Sequence, residues 1–250
     1  MTTSKPATDF SRVRLKRIAY LLAIALIAAF LWRLGSAPWL LVAANAHIML
    51  AISALSAIGL VVQAMAFRLV ASPESRPAMA PTVAIWSSSA ALSVVAPLLA
   101  GIAARTALLV RQGMSLDDCA VASLRQVWLG LEYALLLGAL ALPFSGWGLN
   151  LTVALPCILG WLGMAGLRLH ASSGRVSQPS GRLARAVHAL RKPVASAAHP
   201  WFVLQIAAMS AVYLTGFNGL GAEIGVAQAI ALSALTVILS LVAFVPNGLG

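Results

Sequence analysis

Three ionisable side chains lie in otherwise apolar sequence, and their types define the chemistry that this chain could perform. Arg105 follows a broken apolar segment, whereas Arg125 and Glu132 lie seven residues apart in a later apolar run. That spacing places the latter two on one face of a helix, about 10 Å apart along its axis. Charges within a membrane span are costly and commonly mark a substrate or ion path. Because a guanidinium matches the geometry of phosphate, the pattern predicts a site for a charged ligand, with snorkelling of Arg125 to the interface as the alternative.

Residue types that perform covalent or metal chemistry form no known motif in this sequence. It contains no nucleophile–base motif, phosphate-binding loop or metal-binding spacing. Cys119 and Cys157 lie in or beside apolar runs and suit packing, and His170, His188 and His199 are interpreted as solvated loop residues. We therefore expect no enzyme activity, no catalytic residue, no metal and no cofactor.

The composition places the chain in a membrane. Hydrophobic residues make up 61% of it and charged residues 9%, whereas a soluble domain carries about 25% charged residues. The predicted fold class is an all-α polytopic membrane protein. The net charge of +11 is split among several loops, which favours anionic lipid head groups over nucleic acid as partners. A homo-oligomer is compatible with this class.

Six apolar runs are predicted to be full transmembrane helices. A basic tail, residues 1–17, precedes the first run, and the remaining residues, 18–250, form a single transmembrane domain. A basic loop over residues 168–200 has the pattern of an interfacial helix within it. The six runs are residues 18–32, 39–67, 121–142, 151–167, 201–217 and 224–245.

A further apolar segment, about residues 81–109, is interrupted by Pro97 and Gly101. Proline removes a backbone donor and clashes with the preceding turn, and broken backbone at membrane depth needs protein or a water-filled cavity around it. Transporters place their sites at such breaks. Ser115, followed by two acidic residues, predicts the start of the next helix.

A fragmentary echo of this break occurs at the end of the chain. Ser93-Val94-Val95-Ala96 matches Ser240-Leu241-Val242-Ala243, and breakers follow at similar distances in both copies. The sequence thus predicts a second broken element that contains Pro246, Asn247 and Gly248, and we expect the chain to be truncated at residue 250.

The distribution of lysine and arginine decides between two topologies. If segment 81–109 crossed the membrane, a cytoplasmic N-terminus would put the six cations of loop 168–200 outside, against the positive-inside bias. If the segment is re-entrant, the basic tail, the region 68–118 and the loop 168–200 all lie inside. Only Arg33 then lies outside. The re-entrant topology is therefore expected.

Two sets of residues resemble the transmembrane region of lysylphosphatidylglycerol synthases and their stand-alone relatives. The first runs from Pro97-Leu98-Leu99-Ala100-Gly101 and Arg105 to Gly113-Met114-Ser115 and the helix with Arg125. The second, Pro246-Asn247-Gly248-Leu249-Gly250, is similar to a proline-glycine motif of that family. The resemblance covers about residues 50–250. It implies a bacterial inner-membrane bundle with re-entrant helices that moves phospholipid between leaflets, without the aminoacyl-transfer domain.

Carried over by position, the family's path residues are Pro97, Gly101, Arg105, Arg125, Pro246, Asn247 and Gly248. The chain departs from the family pattern at two motif positions, because Ile102 stands where the family has a glutamate and Asn247 replaces a glycine. These departures weaken the case for a charge relay and for lysyl-lipid specificity.

Phospholipid binding and translocation is the leading functional hypothesis, with Arg105 and Arg125 contacting phosphate and Glu132 holding the region of Arg125 or contacting a cationic head group. A proton-coupled transporter of a small anion, which would use Glu132, is one alternative. A membrane scaffold for a lipid-modifying enzyme is another.

Overall fold

The computed structural model describes residues 43–95, 100–146, 150–173 and 194–242, which are helical apart from short connections. Contacts divide the chain into two compact units, residues 1–46 and 47–250, and the helices belong to the second unit apart from Ala46. The expected all-α class is confirmed for the described residues. Their seven α-helices are α1 Ala46–Val70, α2 Met79–Val95, α3 Ala100–Arg111, α4 Leu116–Ala141, α5 Asn150–Ser173, α6 His199–Gly219 and α7 Val226–Val242.

Three helical stretches are long and apolar enough to cross a membrane: Ala46–Val70, Leu116–Phe144 and Ser196–Gly219. Shorter apolar stretches, Ala154–Leu167 and Val226–Ser240, lie in α5 and α7. A hydrocarbon core of about 30 Å requires about 20 apolar residues, so the chain has helices that could span a membrane. The predicted span 18–32, the interfacial helix in loop 168–200 and the C-terminal broken element lie outside the described residues.

Local residues explain where α3 ends and where α4 begins. Ser115 begins α4 as predicted, because its Oγ accepts a hydrogen bond from the Asp118 backbone N–H at 3.0 Å. Gly113 ends α3 with a φ of 94°, a conformation that favours glycine. Its N–H and that of Met114 donate to Val110 and Leu109 carbonyls, which is the Schellman arrangement of a helix C-terminus. The turn between α3 and α4 is therefore short and fixed.

Helix α1 packs antiparallel to α6 along its length. A Cβ added at Gly219 would lie 2.7 Å from Ile48, one at Gly216 would lie 3.4 Å from Ile52, and one at Gly59 would lie 4.0 Å from Ala208. Later residues of α1 thus contact earlier residues of α6, so the two helices run in opposite directions. Glycine at these three points leaves room for a side chain of the other helix, as small residues commonly do between transmembrane helices.

Helix α4 is the centre of the remaining bundle and packs against both α5 and α7. Gly138 approaches Ala234 so closely that an added Cβ would lie 3.0 Å away, and Gly160 lies against Leu135. The last residues of α4 share a core with Ala154 of α5 and Ala231 of α7. Both neighbours therefore run antiparallel to α4, and α7 follows α6 after the short turn 220–225.

These directions place the connections at two ends of the bundle. One end, called here the hairpin end, contains the end of α1, the start of α4 and the start of α6. The opposite end contains residues 142–146, which follow α4, and the turn 220–225. Helices α2 and α3 form an antiparallel hairpin, because Pro81 and Gln112 line one cleft while Ser89 meets Arg105 further along both helices. The start of α2 and the end of α3 thus both lie at the hairpin end of the bundle.

Candidate functional site

The α2–α3 hairpin is built on a buried aromatic core. The rings of Phe67 and Trp86 lie 4.6 Å apart and are tilted by 47°, an arrangement that aromatic pairs favour. Both side chains are almost fully buried, in one cluster with Leu109 of α3 and Cys119 of α4. This cluster fixes the hairpin against α1 and the first turns of α4.

Arg105 lies on this core. Its guanidinium carbon is 4.3 Å from the centroid of the Trp86 ring, a cation–π contact. Its Nε donates to Ser89 Oγ at 3.4 Å. Trp86 and Ser89 lie one turn apart on α2 and so share a face. Arg105, a predicted site residue, therefore contacts Trp86 and Ser89, and neither was predicted from the sequence to be its partner.

The indole N–H of Trp86 is buried and has no hydrogen-bond partner among the described residues. A buried donor without an acceptor costs free energy of about 1–3 kcal/mol. Its ring is the one that the Arg105 guanidinium covers. The hairpin therefore combines a cation with a neighbouring donor that no described protein acceptor occupies, and an oxyanion is the ligand class that suits both.

Arg125 and Glu132 share a buried face of α4, at 7% and 4% exposure. Arg125 Nη1 donates to the Val70 carbonyl at 3.1 Å, at the end of α1 where a cation is favourable. The guanidinium thus contacts the C-terminal end of α1, and snorkelling of Arg125 to the interface stays a prediction. A substrate contact of either residue stays a prediction.

The remaining predicted path residues divide by position. Gly101 is buried in the first turn of α3, four residues before Arg105 and so on the same helix face. Pro97, Pro246, Asn247 and Gly248 lie outside the described residues. The structure thus joins Gly101 and Arg105 on one element and leaves the C-terminal set as a prediction.

A second feature missed by the sequence analysis is an open cleft of about 460 Å³ at the hairpin end. Ser75 Oγ and Arg76 Nε are buried there without a hydrogen-bond partner among the described residues. Arg68 donates from Nε to the Pro77 carbonyl at 2.9 Å and so fixes one wall. The residues that line the cleft are Glu74, Ser75, Arg76, Pro77, Ala78, Pro81, Gln112, Gly113 and Met114.

His199 departs from its interpretation as a solvated loop residue. It begins α6, and its Nδ1 lies 3.0 Å from the Tyr133 hydroxyl of α4. The Tyr133 ring stacks on Phe202 at 6.1 Å. The histidine therefore anchors the start of α6 to α4, and no group of side chains that could hold a metal occurs among the described residues.

The chain matches no protein-family model, no curated protein and no solved structure. The resemblance to the lysylphosphatidylglycerol synthase transmembrane region therefore stays a prediction from the residues themselves. The described residues form a helical bundle with a hairpin that carries an arginine, a buried indole donor and an open cleft at its base. The guanidinium and the indole N–H are the groups of this arrangement that suit an oxyanion ligand.

Proposed function

We propose that this chain is an integral membrane protein that binds the phosphate of phospholipid head groups and helps them cross the bilayer. The observation that carries the proposal is the α2–α3 hairpin, which starts and finishes at one end of the bundle and holds Arg105 on a buried Trp86. Many transporters form their substrate sites from discontinuous transmembrane helices.

The hairpin is proposed to be re-entrant. The described part of α3 has 12 residues and is about 18 Å long, which is shorter than a hydrocarbon core of about 30 Å. Arg105 lies seven residues before Gln112, so it is about 10 Å below the mouth of the hairpin. A head group would be drawn to this depth by the guanidinium and the indole N–H, while the lipid tails stay in the bilayer.

The hairpin end is proposed to face the cytoplasm. It carries Arg68, Arg76 and Arg111, and the basic segment that connects α5 to α6 leads into α6 there. The opposite end carries Glu223 and no lysine or arginine among the described residues. The positive-inside bias then gives six full spans, a cytoplasmic N-terminus and location in a bacterial inner membrane, in line with the family that the residues resemble. Anionic lipid would gather at the basic segment that connects α5 to α6.

Sidedness tests the topology with two single cysteines, Gln112→Cys and Glu223→Cys, in a chain in which Cys119 and Cys157 are replaced by alanine. Both positions are exposed. An impermeant thiol reagent should label Gln112→Cys in inverted vesicles and Glu223→Cys in intact cells. A cysteine at Gly181 is the cytoplasmic reference. Labelling of positions 112 and 223 from the same side would contradict the proposal.

Lipid translocation tests the function. The full chain is reconstituted in vesicles with a fluorescent phospholipid, and its loss from the inner leaflet is followed by quenching from outside. Arg105→Ala should slow translocation about tenfold or more, because a hydrogen bond to a charged group contributes about 1.5–3 kcal/mol. Trp86→Phe keeps the aromatic packing and removes the N–H, so it should also slow translocation.

Arg111→Ala is the matched control, since Arg111 is an exposed cation on the same helix and should leave the rate unchanged. Unaltered translocation in Arg105→Ala would refute the role of the hairpin.

The buried Glu132 on α4 favours one further candidate, a proton-coupled transporter of a small anion. Glu132→Gln would abolish uptake that depends on a pH gradient in that case. A rate of lipid translocation that is independent of pH, both in the parent chain and in Glu132→Gln, would exclude this transporter.

A further inference from the structure

The open cleft at the hairpin end lies apart from the Arg105 contacts and has its own polar groups. It is formed where the connection from α1 to α2 meets the turn from α3 to α4. Its volume of about 460 Å³ falls within the range of small-molecule sites. Arg105 lies about two helical turns deeper along α3. A ligand that enters the hairpin from this end therefore meets the cleft first.

One part of the cleft suits an anion. Arg76 lines it, and its buried Nε has no hydrogen-bond partner among the described residues. The same holds for the Ser75 hydroxyl. Helix α2, of 17 residues, begins beside them at Met79, and the first N–H groups of a helix have no helical acceptor and carry a partial positive charge. A guanidinium, a hydroxyl and a helix N-terminus together match a phosphate diester.

Another part of the cleft suits a cation. The Glu74 carboxylate lines it and is exposed. Helix α3 ends at Arg111, next to the lining residues Gln112 and Gly113, and the partial charge at the C-terminal end of a helix is negative. Neither Glu74 nor Arg76 forms an ion pair with a described residue. An acidic side chain at the rim opposes a simple anion, so the cleft favours a ligand that carries an ammonium near its phosphate.

We infer that this cleft is a docking site for a zwitterionic phosphodiester head group, with the phosphate on Arg76 and Ser75 and the ammonium on Glu74. Phosphoethanolamine lipids have this chemistry, and so does their soluble head group. The inference rests on the proposed function only for the source of the ligand, a lipid. The site selects the head group at the mouth of the hairpin, and Arg105 acts below it.

Calorimetric titration of the full chain in dodecyl maltoside tests the site with three probes. These are dihexanoyl phosphatidylethanolamine, dihexanoyl phosphatidylglycerol, which lacks the ammonium, and glycerophosphoethanolamine, which lacks the tails. Arg76→Ala should weaken binding of both lipids about tenfold or more, and Arg76→Lys should restore part of it, because lysine keeps the charge but not the planar fork. Glu74→Gln should reduce the preference for the ethanolamine lipid about two- to fivefold, as expected for an exposed ion pair.

Two matched controls lie outside the cleft lining. Arg111→Ala removes an exposed cation of α3, and Glu223→Gln removes an exposed acid at the opposite end; both should bind the three probes like the parent chain. Unchanged affinity in Arg76→Ala would overturn the site. Equal binding of the two lipids, with no effect of Glu74→Gln, would overturn the zwitterionic ligand.

The outcomes also separate the source of the ligand and the fate of the proposed function. Glycerophosphoethanolamine that binds as tightly as the short-chain lipid, with the same loss in Arg76→Ala, would support the phosphodiester chemistry and identify a soluble ligand. Loss of binding in Arg76→Ala together with full translocation in Arg105→Ala would support the cleft and refute the proposed function. The reverse pair of results would refute the cleft alone.

Discussion

The α2–α3 and α6–α7 pairs are both antiparallel helix pairs, yet they are held together by different chemistry. The contact between α2 and α3 includes a cation on an aromatic ring, Arg105 on Trp86 at 4.3 Å. The contact between α6 and α7 is neutral, with Ser210 donating to Ser233 at 3.1 Å and Tyr213 paired with Thr236 at 2.8 Å. Neither α6 nor α7 contains a lysine, arginine or acid.

This difference follows from the cost of charge in an apolar environment. A guanidinium at membrane depth needs protein cover or water, and in the hairpin Trp86 and Ser89 of α2 contact that of Arg105. Hydroxyl pairs need much less, because a serine or threonine can also bond to the preceding turn of its own helix, as Ser210 does to Ile206. The charged pair therefore carries the proposed function and the neutral pair carries the scaffold.

The two free cysteines report on the two regions separately. Cys119 is buried in the cluster with Trp86, and Cys157 is buried in the cluster of α4, α5 and α7. The rate at which a permeant thiol reagent labels each of them in the native protein measures local opening. Substitutions in one region should change the rate of its own cysteine first.

The largest expected effect is that of Trp86→Ala. Removal of a fully buried tryptophan costs about 3–5 kcal/mol, and here it also removes the surface under Arg105. Labelling of Cys119 should accelerate strongly while that of Cys157 changes little. Equal acceleration at both cysteines would break the comparison, because the hairpin would then be no separate unit of stability.

Gly138→Leu should have the next largest effect and the opposite pattern. An added Cβ at Gly138 already lies 3.0 Å from Ala234, so a larger side chain forces α4 and α7 apart at a cost of about 1–3 kcal/mol. Cys157 labelling should accelerate and thermal unfolding in detergent should begin at a lower temperature. Gly130→Leu is the control on the same helix, since nothing lies within 4 Å of its added Cβ. Equal losses in both variants would show that packing at Gly138 is not the cause.

Ser115→Ala tests the joint between the two regions. Its Oγ accepts from the Asp118 N–H at the start of α4, and loss of such a cap costs about 1 kcal/mol. The unfolding temperature should fall modestly, with both cysteines labelled slightly faster, because α4 belongs to both regions. Ser87→Ala, an exposed serine of α2, is the control. An equally large fall of the unfolding temperature in Ser87→Ala would show that loss of the cap is not the cause.

The fold followed from the sequence where a single property of the chain dominates. Apolar length predicted the helices from α4 to α7. The charge distribution predicted that α1 ends and α4 begins on one side, which agrees with the helix directions in the bundle. The start of α4 at Ser115 depends on neighbours within one turn, so it was also predictable.

The site was less predictable because it depends on contacts between distant residues. Arg105 was visible as a charge beside a break, but its position over Trp86 requires the register of α2 against α3. Two serines beside Ser89 are exposed whereas Ser89 is buried, and no local pattern distinguishes the three. The Arg125 bond to Val70 spans 55 residues. Residues 75 and 76 form a cleft only because a second turn closes on them.

The smallest expected effect concerns the neutral α6–α7 pair. Hydrogen bonds between transmembrane helices contribute about 0.6 kcal/mol on average in double-mutant cycles, so Ser210→Ala and Ser233→Ala should show a coupling of that size in unfolding free energy. Both serines also bond to their own helices, to the Ile206 and Ala229 carbonyls, which limits what either substitution can lose.

A parallel cycle with Arg105→Ala and Trp86→Ala sharpens the contrast, since a desolvated cation–π contact contributes about 2 kcal/mol. A larger coupling in the charged pair would show that the hairpin depends on its cation for stability as well as for the proposed function. Equal couplings would mean that Arg105 is held by the surrounding packing, and the guanidinium would then remain available to a ligand at little cost to the fold.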